Sequence, residues 1–236
     1  MESLEALIAK MNPLFEANAR APHAAPREGA ELRLHQLDRS GINAHLPKRA
    51  AGVIANGLHH ETDPVRVVRA WLREASAKPY LVLCGTTGVG KTWALAEAVA
   101  ALGGVYTTAN DTRRMWASRQ RDGAPQTHED AEKAWMAIAR AKFVALDELG
   151  QADDGDWKAA LREQRGAFHA LVDTRQDRPT LVATNVSRAD LGAAFVNGTL
   201  DPRTKSRLGP LVYRTPKGHP VFDFAGKDLR GGWEAT

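Results

Sequence analysis

The feature that most constrains this chain is the segment Gly85-Thr86-Thr87-Gly88-Val89-Gly90-Lys91-Thr92, which fits the pattern G-x-x-x-x-G-K-[ST]. An apolar run, Tyr80-Leu81-Val82-Leu83-Cys84, leads into it, and an Ala- and Leu-rich stretch beginning at Trp93 leads away to Gly103-Gly104. The pattern is therefore strand, loop, helix. Glycines let successive backbone N–H groups turn toward one point without a Cβ clash, and the helix N-terminus adds partial positive charge there. Such a cradle binds phosphate. The expected nucleotide contacts are Gly85, Thr86, Thr87, Gly88, Val89, Gly90, Lys91, Thr92 and the adjoining Trp93. Lys91 is expected to reach the β- and γ-phosphates and the Thr92 hydroxyl to ligate Mg²⁺, so the expected cofactors are ATP and Mg²⁺.

The rest of the chain alternates. Residues 2–18 carry Leu4, Leu7, Ile8 and Met11 at helical spacing, and residues 19–30 form a Pro- and Ala-rich linker. Together 1–30 form an N-terminal segment suited to partner binding, and 31–236 the main domain, with 31–60 unassigned. A helix is expected from Asp63-Pro64 to about Ala77. Strands are expected at 80–84, 104–108, 142–147 and 179–184. Helices are expected at 91–102, 110–121, 128–141, 156–176, 187–196 and 199–208, followed by extended pieces at 210–214 and 220–224. Ser187 and Asp190 are spaced as a capping box. Alternating strands and helices predict an α/β three-layer sandwich with a parallel central sheet.

Three further segments end in reactive side chains. Phe143-Val144-Ala145-Leu146-Asp147-Glu148 is an apolar strand closing on two carboxylates, which are costly to bury without a task. Placed beside the first strand, Asp147 would bind the metal and Glu148 would polarise the attacking water. An exposed acidic turn is the plainer alternative. Thr180-Leu181-Val182-Ala183-Thr184-Asn185 puts an amide at a strand tip between the other two, in reach of the γ-phosphate or the water. In Pro202-Arg203-Thr204-Lys205-Ser206-Arg207-Leu208, Arg203 and Arg207 share a helix face and could reach a neighbouring subunit's phosphate, or could simply be solvated.

These four elements, in this order, resemble the additional-strand AAA+ ATPases, and most nearly the DnaC/IstB helicase-loader branch. The closing Phe222-Asp223-Phe224-Ala225-Gly226-Lys227-Asp228-Leu229-Arg230 also looks like the end of that branch. The resemblance spans about residues 40–232. It implies catalytic roles for Lys91 and Glu148, metal binding by Thr92 and Asp147, a first sensor at Asn185 and an arginine finger at Arg207. The stretch after Arg207 is short for a helical lid, and the expectation is a P-loop NTPase (AAA+) domain without a C-terminal lid, as in loaders of this branch. The N-terminal segment departs from the bacterial loader pattern, where a sizeable domain grips the helicase. That points to a phage-type DnaC-like replication protein.

The segment Arg113-Arg114-Met115-Trp116-Ala117-Ser118-Arg119-Gln120-Arg121 mixes basic side chains with an aromatic ring, the ingredients of single-strand binding. In the resembled family this region lies near a central DNA channel. Arg113, Arg114, Trp116, Arg119 and Arg121 are therefore candidate nucleic-acid contacts, or else an amphipathic helix with a buried Trp. A net charge of +4 permits such a partner without arguing for one. The single cysteine, Cys84, ends an apolar run and reads as core. Neither a signal peptide nor a bilayer-length apolar run is seen, so the expected location is the cytoplasm of a bacterial host.

The resulting expectation is an ATPase that loads or remodels a replicative, DnaB-like DNA helicase on single-stranded DNA, working as a homo-oligomer. An IstB-like transposition helper, a P-loop small-molecule kinase and a non-hydrolysing nucleotide switch are the alternatives.

Overall fold

The computed structural model describes residues 61–225 except 74, 76, 121–124, 153, 154, 216 and 220. The helix and linker expected over 2–30, the unassigned stretch 31–60 and Arg121 lie outside the described residues.

β1 (Tyr80–Gly85) is buried at every position, as an uninterrupted apolar strand must be when both sheet faces are covered. It pairs in parallel with β4 (Thr180–Thr184) on one side and β5 (Phe222–Phe224) on the other. β3 (Val144–Leu149) pairs with β4, and β2 (Val105–Thr108) closes the far edge, all in parallel. The order is β2-β3-β4-β1-β5. The carboxylate-bearing strand is thus not beside β1: β4 is inserted between them. Hydrophobicity could not decide this, because β4 is buried along its whole length just as β1 is. Asn185, at the end of β4, does fall between the other two strand ends.

The sheet is covered on both faces. On one face, α1 (Asp63–Leu72) and α2 (Lys91–Leu102) pack Val65, Trp71, Leu95 and Val99 onto Leu81, Leu83 and Phe143. On the other, α4 (Pro125–Arg140), α5 (Trp157–Thr174), α6 (Arg188–Val196) and α7 (Pro202–Leu211) enclose Tyr80, Val82, Leu146, Leu171 and Leu208. α3 (Ala109–Gln120) lies against α4 and α5. This is the expected three-layer sandwich.

Most element ends follow local chemistry. The Ser187 hydroxyl accepts from the Asp190 N–H at 3.1 Å and donates to its carboxylate at 2.8 Å, so α6 starts where the cap predicts. α1 is shorter than expected. It stops at Leu72, and the Trp71 indole N–H donates to the Lys78 carbonyl at 2.6 Å, fastening a return of the chain in place of another helical turn. The expected extended piece at 210–214 is also different. α7 runs through Pro210 to Leu211, and only Val212 bridges Tyr80. A proline in the last turn forgoes one backbone hydrogen bond, and Arg214 supplies a donor to the Gly209 carbonyl nearby.

One buried cation was not foreseen. Arg175, at the end of α5, is fully buried. Its guanidinium donates to the carbonyls of Ile138, Ala139, Ala141 and Pro179 and to the Thr180 hydroxyl, at 2.8 to 3.2 Å. It ties the open end of α4 to the start of β4, satisfying carbonyls that a helix end leaves over.

Candidate nucleotide site

The site assembles at the carboxyl ends of β1, β3 and β4. Gly85 ends β1 with φ +131, and a Cβ there would stand 2.1 Å from the Phe224 carbonyl, so the loop leaves the sheet against β5. Gly88 and Gly90 have φ +86 and +95, left-handed geometry that a non-glycine residue adopts only under strain. α2 begins at Gly90 without a side-chain cap, so the first N–H groups of the helix are left to other acceptors. Thr86 and Thr87 are exposed, Gly88, Gly90 and Thr92 half-buried, and Val89 buried. The Trp93 ring is 5% exposed and packs into the core on the α1 side.

Lys91 is 6% exposed, yet it retains acceptors: its ammonium donates to the carbonyls of Gly85 and Thr86, each at 2.7 Å. An ammonium has three protons, so one remains for a further oxygen. Burial lowers its pKa from the usual lysine range, and the Asp147 carboxylate opposes that shift. Asp147 is 4% exposed and accepts from the Tyr106 hydroxyl at 2.7 Å and from the Glu148 N–H at 2.8 Å. Burial, then the Asp147 charge, push the Tyr106 phenol far above the ordinary tyrosine range, so it stays a donor. The Cys84 thiol, pushed up to about 12 by burial, behaves as core.

The strand carrying the carboxylates is irregular at the point that matters. Leu146 faces Val182, but Leu149 faces Thr184, so β3 has one residue more than β4 over this stretch. The bulge is at Asp147-Glu148. Glu148 is exposed and has φ +60, the one non-glycine residue in the left-handed region among the described residues. Such a conformation costs about 1–3 kcal/mol and persists where the surroundings enforce it, commonly at functional sites. The expected strand end at 147 is accordingly corrected: the carboxylates sit within β3, which runs on to Leu149.

Asn185 is exposed, and its amide donates to the Gln151 side chain at 3.0 Å. It therefore lies at the same end of the strands as Glu148. Arg207 does not. It pairs with Asp173 at 2.5 Å, near the end of α5, next to the Arg175 cluster at the start of β4. That is the opposite end of the strands from the loop. Arg203 is held by Asp201, the cap of its own helix, at 2.7 Å.

The basic segment on α3 is mostly engaged within the protein. Arg113 pairs with Glu163 at 3.3 Å, and Arg119 pairs with Glu132. Trp116 packs on Trp135 with centroids 4.9 Å apart, and the Arg119 guanidinium lies over both rings. Arg114 is exposed and meets Asp111 at 3.6 Å.

The donor set fits Mg²⁺ with nucleotide. Among the described residues no group of three or more His, Cys, Asp or Glu side chains is placed to hold a metal. Mg²⁺ needs no such cage, because one or two carboxylates with substrate phosphates and water suffice. Asp147 and the Thr92 hydroxyl are the residues suited to that role. No helix among the described residues is long and apolar enough to cross a membrane.

A parallel sheet of this order, entered by a glycine-rich loop that opens a helix, has the fold of the P-loop NTPases. No protein-family model matches the sequence, and no curated protein matches it. Among solved structures, a chain described as the crystal structure of the DnaC helicase loader aligns with a TM-score of 0.47 at 16% sequence identity, covering 71% of this chain and 93% of that one.

Proposed function

We propose that this chain is a Mg²⁺-dependent ATPase that loads or remodels a replicative DNA helicase on single-stranded DNA, acting as a homo-oligomer. One observation carries the ATPase reading: a buried lysine and a buried aspartate converge beside a capless helix N-terminus, with Glu148 on a strained turn next to them. Lys91 and the N–H groups of the loop would bind the phosphates. Thr92 and Asp147 would hold Mg²⁺, which when bound neutralises phosphate charge. Glu148 would orient the attacking water and take its proton, with Asn185 beside it, while Arg207 would serve a neighbouring copy.

The helicase-loader part rests on the set of Lys91, Asp147-Glu148, Asn185 and Ser206-Arg207-Leu208 in that order. The insertion of β4 between β1 and β3 supports the additional-strand class. The test is ATP turnover with and without single-stranded DNA, and with the purified replicative helicase of the host. Turnover that rises with DNA and a stable complex with the helicase are expected. Phosphate transfer to a small acceptor in place of water, or selective binding of a transposase, would replace this reading.

A further inference from the structure

We propose that Gln164 is a positioning residue that holds the Glu148 turn in its catalytic geometry by tying it to the first turn of α3. The proposal rests on the reading of this site as an ATP-hydrolysing one.

Gln164 lies on the buried stripe of α5, with Leu161, Ala167, Phe168 and Leu171. It is 1% exposed, at a place where a leucine or methionine would fill the volume. A buried amide is tolerated when both of its ends are bonded. Here both are. The side-chain carbonyl accepts from the Gly150 N–H at 2.8 Å, and the NH₂ donates to the Asn110 side-chain oxygen Oδ1 at 3.0 Å. The side chain thus spans from the turn after the carboxylates to the second residue of α3.

What it holds is the least regular backbone of the sheet. Glu148 has φ +60 and Gly150 φ +76, with Leu149 between them. Each residue after Glu148 has its own fastener. The Thr184 hydroxyl donates to the Leu149 carbonyl at 2.5 Å, Gln164 receives the Gly150 N–H, and Asn185 donates to the Gln151 side chain at 3.0 Å. The first and third come from β4 and its exposed end. Of the three, Gln164, buried like Thr184, is the one that comes from a helix, so it fixes the turn relative to the layer behind the sheet. Left-handed backbone at a non-glycine residue survives where such constraints over-determine it. Releasing this one lets Glu148 relax, and a misplacement of about 1 Å costs about 10²-fold in rate.

The test uses the full chain with Gln164→Met and Gln164→Glu. ATP affinity, kcat and hydrogen exchange of the turn 148–151 are measured on each. Gln164→Met keeps the volume and loses both bonds. It should bind ATP like the parent, exchange faster at the turn and lose about 10²-fold in kcat. Gln164→Glu keeps an acceptor for the Gly150 N–H and should recover most of the rate and the protection. A Gln164→Met protein with the parent's kcat, or with unchanged exchange at the turn, overturns the proposal. So does a loss confined to ATP affinity or melting temperature, or a Gln164→Glu protein no better than Gln164→Met. A parent chain that does not hydrolyse ATP overturns the ATPase reading and this proposal together, a result distinct from a working parent matched by Gln164→Met.

Discussion

Burying an ammonium costs free energy unless acceptors stay in reach, and Lys91 keeps two carbonyls at 2.7 Å. Desolvation nevertheless lowers its pKa. The folded state therefore gives up this proton more readily than the unfolded chain, and the penalty to stability is present below the lowered pKa and relieved as pH rises through it. ATP binding has the opposite dependence, because phosphate needs the charged form. Affinity for ATP should fall at a pH below the ~10.4 of an ordinary lysine. Titrating the dissociation constant from neutral pH upward checks this; an affinity that holds constant into the ordinary lysine range would contradict it.

At the scale of elements, Arg175 joins α4, α5 and β4, although the Ile138 and Pro179 carbonyls also accept backbone N–H groups and the Ala139 carbonyl accepts from Arg178. Arg175→Met should cost at least ~3 kcal/mol, because several buried acceptors lose a charged hydrogen bond worth ~1.5–3 kcal/mol each. At this size that lowers the melting temperature by ~6–12 °C, measurable by calorimetry. A change within a degree or two would show that water replaces the guanidinium. α3 makes a separate prediction. With Arg113, Arg119 and Trp116 occupied inside the protein, Arg114 is the exposed basic residue left on the described part of the segment. Arg114→Ala should reduce the slope of log K against log salt for single-stranded DNA by ~0.7, one phosphate contact. An unchanged slope would remove Arg114 from the interface. The fold was legible wherever its signal is local. The loop from Gly85 to Thr92, the bounds of α2 and the Ser187 cap follow from neighbouring residues. Strand order was not legible, because β1 and β4 present the same buried pattern and pairing is a long-range choice. The bulge at Asp147-Glu148, the bonds of Gln164 and those that Arg175 makes to the end of α4 depend on partners 14 to 54 residues away. For the site, the loop lysine and the carboxylates could be read from sequence. The device that aims Glu148 could not, since a glutamine on a helix stripe carries no mark of its bonds.

At the scale of the whole molecule, the position of Arg207 bears on assembly. It lies at the end of the strands opposite the loop, paired with Asp173, and so cannot serve the site of its own chain. If it acts on a phosphate, that phosphate belongs to a neighbour. Arg207→Ala should then bind ATP normally and hydrolyse it ~10³-fold more slowly. Mixing it with Lys91→Ala should restore part of the turnover, because one mutant supplies an intact nucleotide site and the other an intact finger. Parent-level hydrolysis by Arg207→Ala alone would make it a surface residue with an ion pair. All of this depends on nucleotide chemistry at the strand ends, and one comparison addresses that directly. ATP binding and multiple-turnover phosphate release are measured for the parent, Lys91→Ala and Glu148→Gln with Mg²⁺ present. The parent should bind and hydrolyse, Lys91→Ala should lose binding, and Glu148→Gln should bind ATP while hydrolysing it at least ~10²-fold more slowly; equal ATP affinity for the parent and Lys91→Ala would contradict the account.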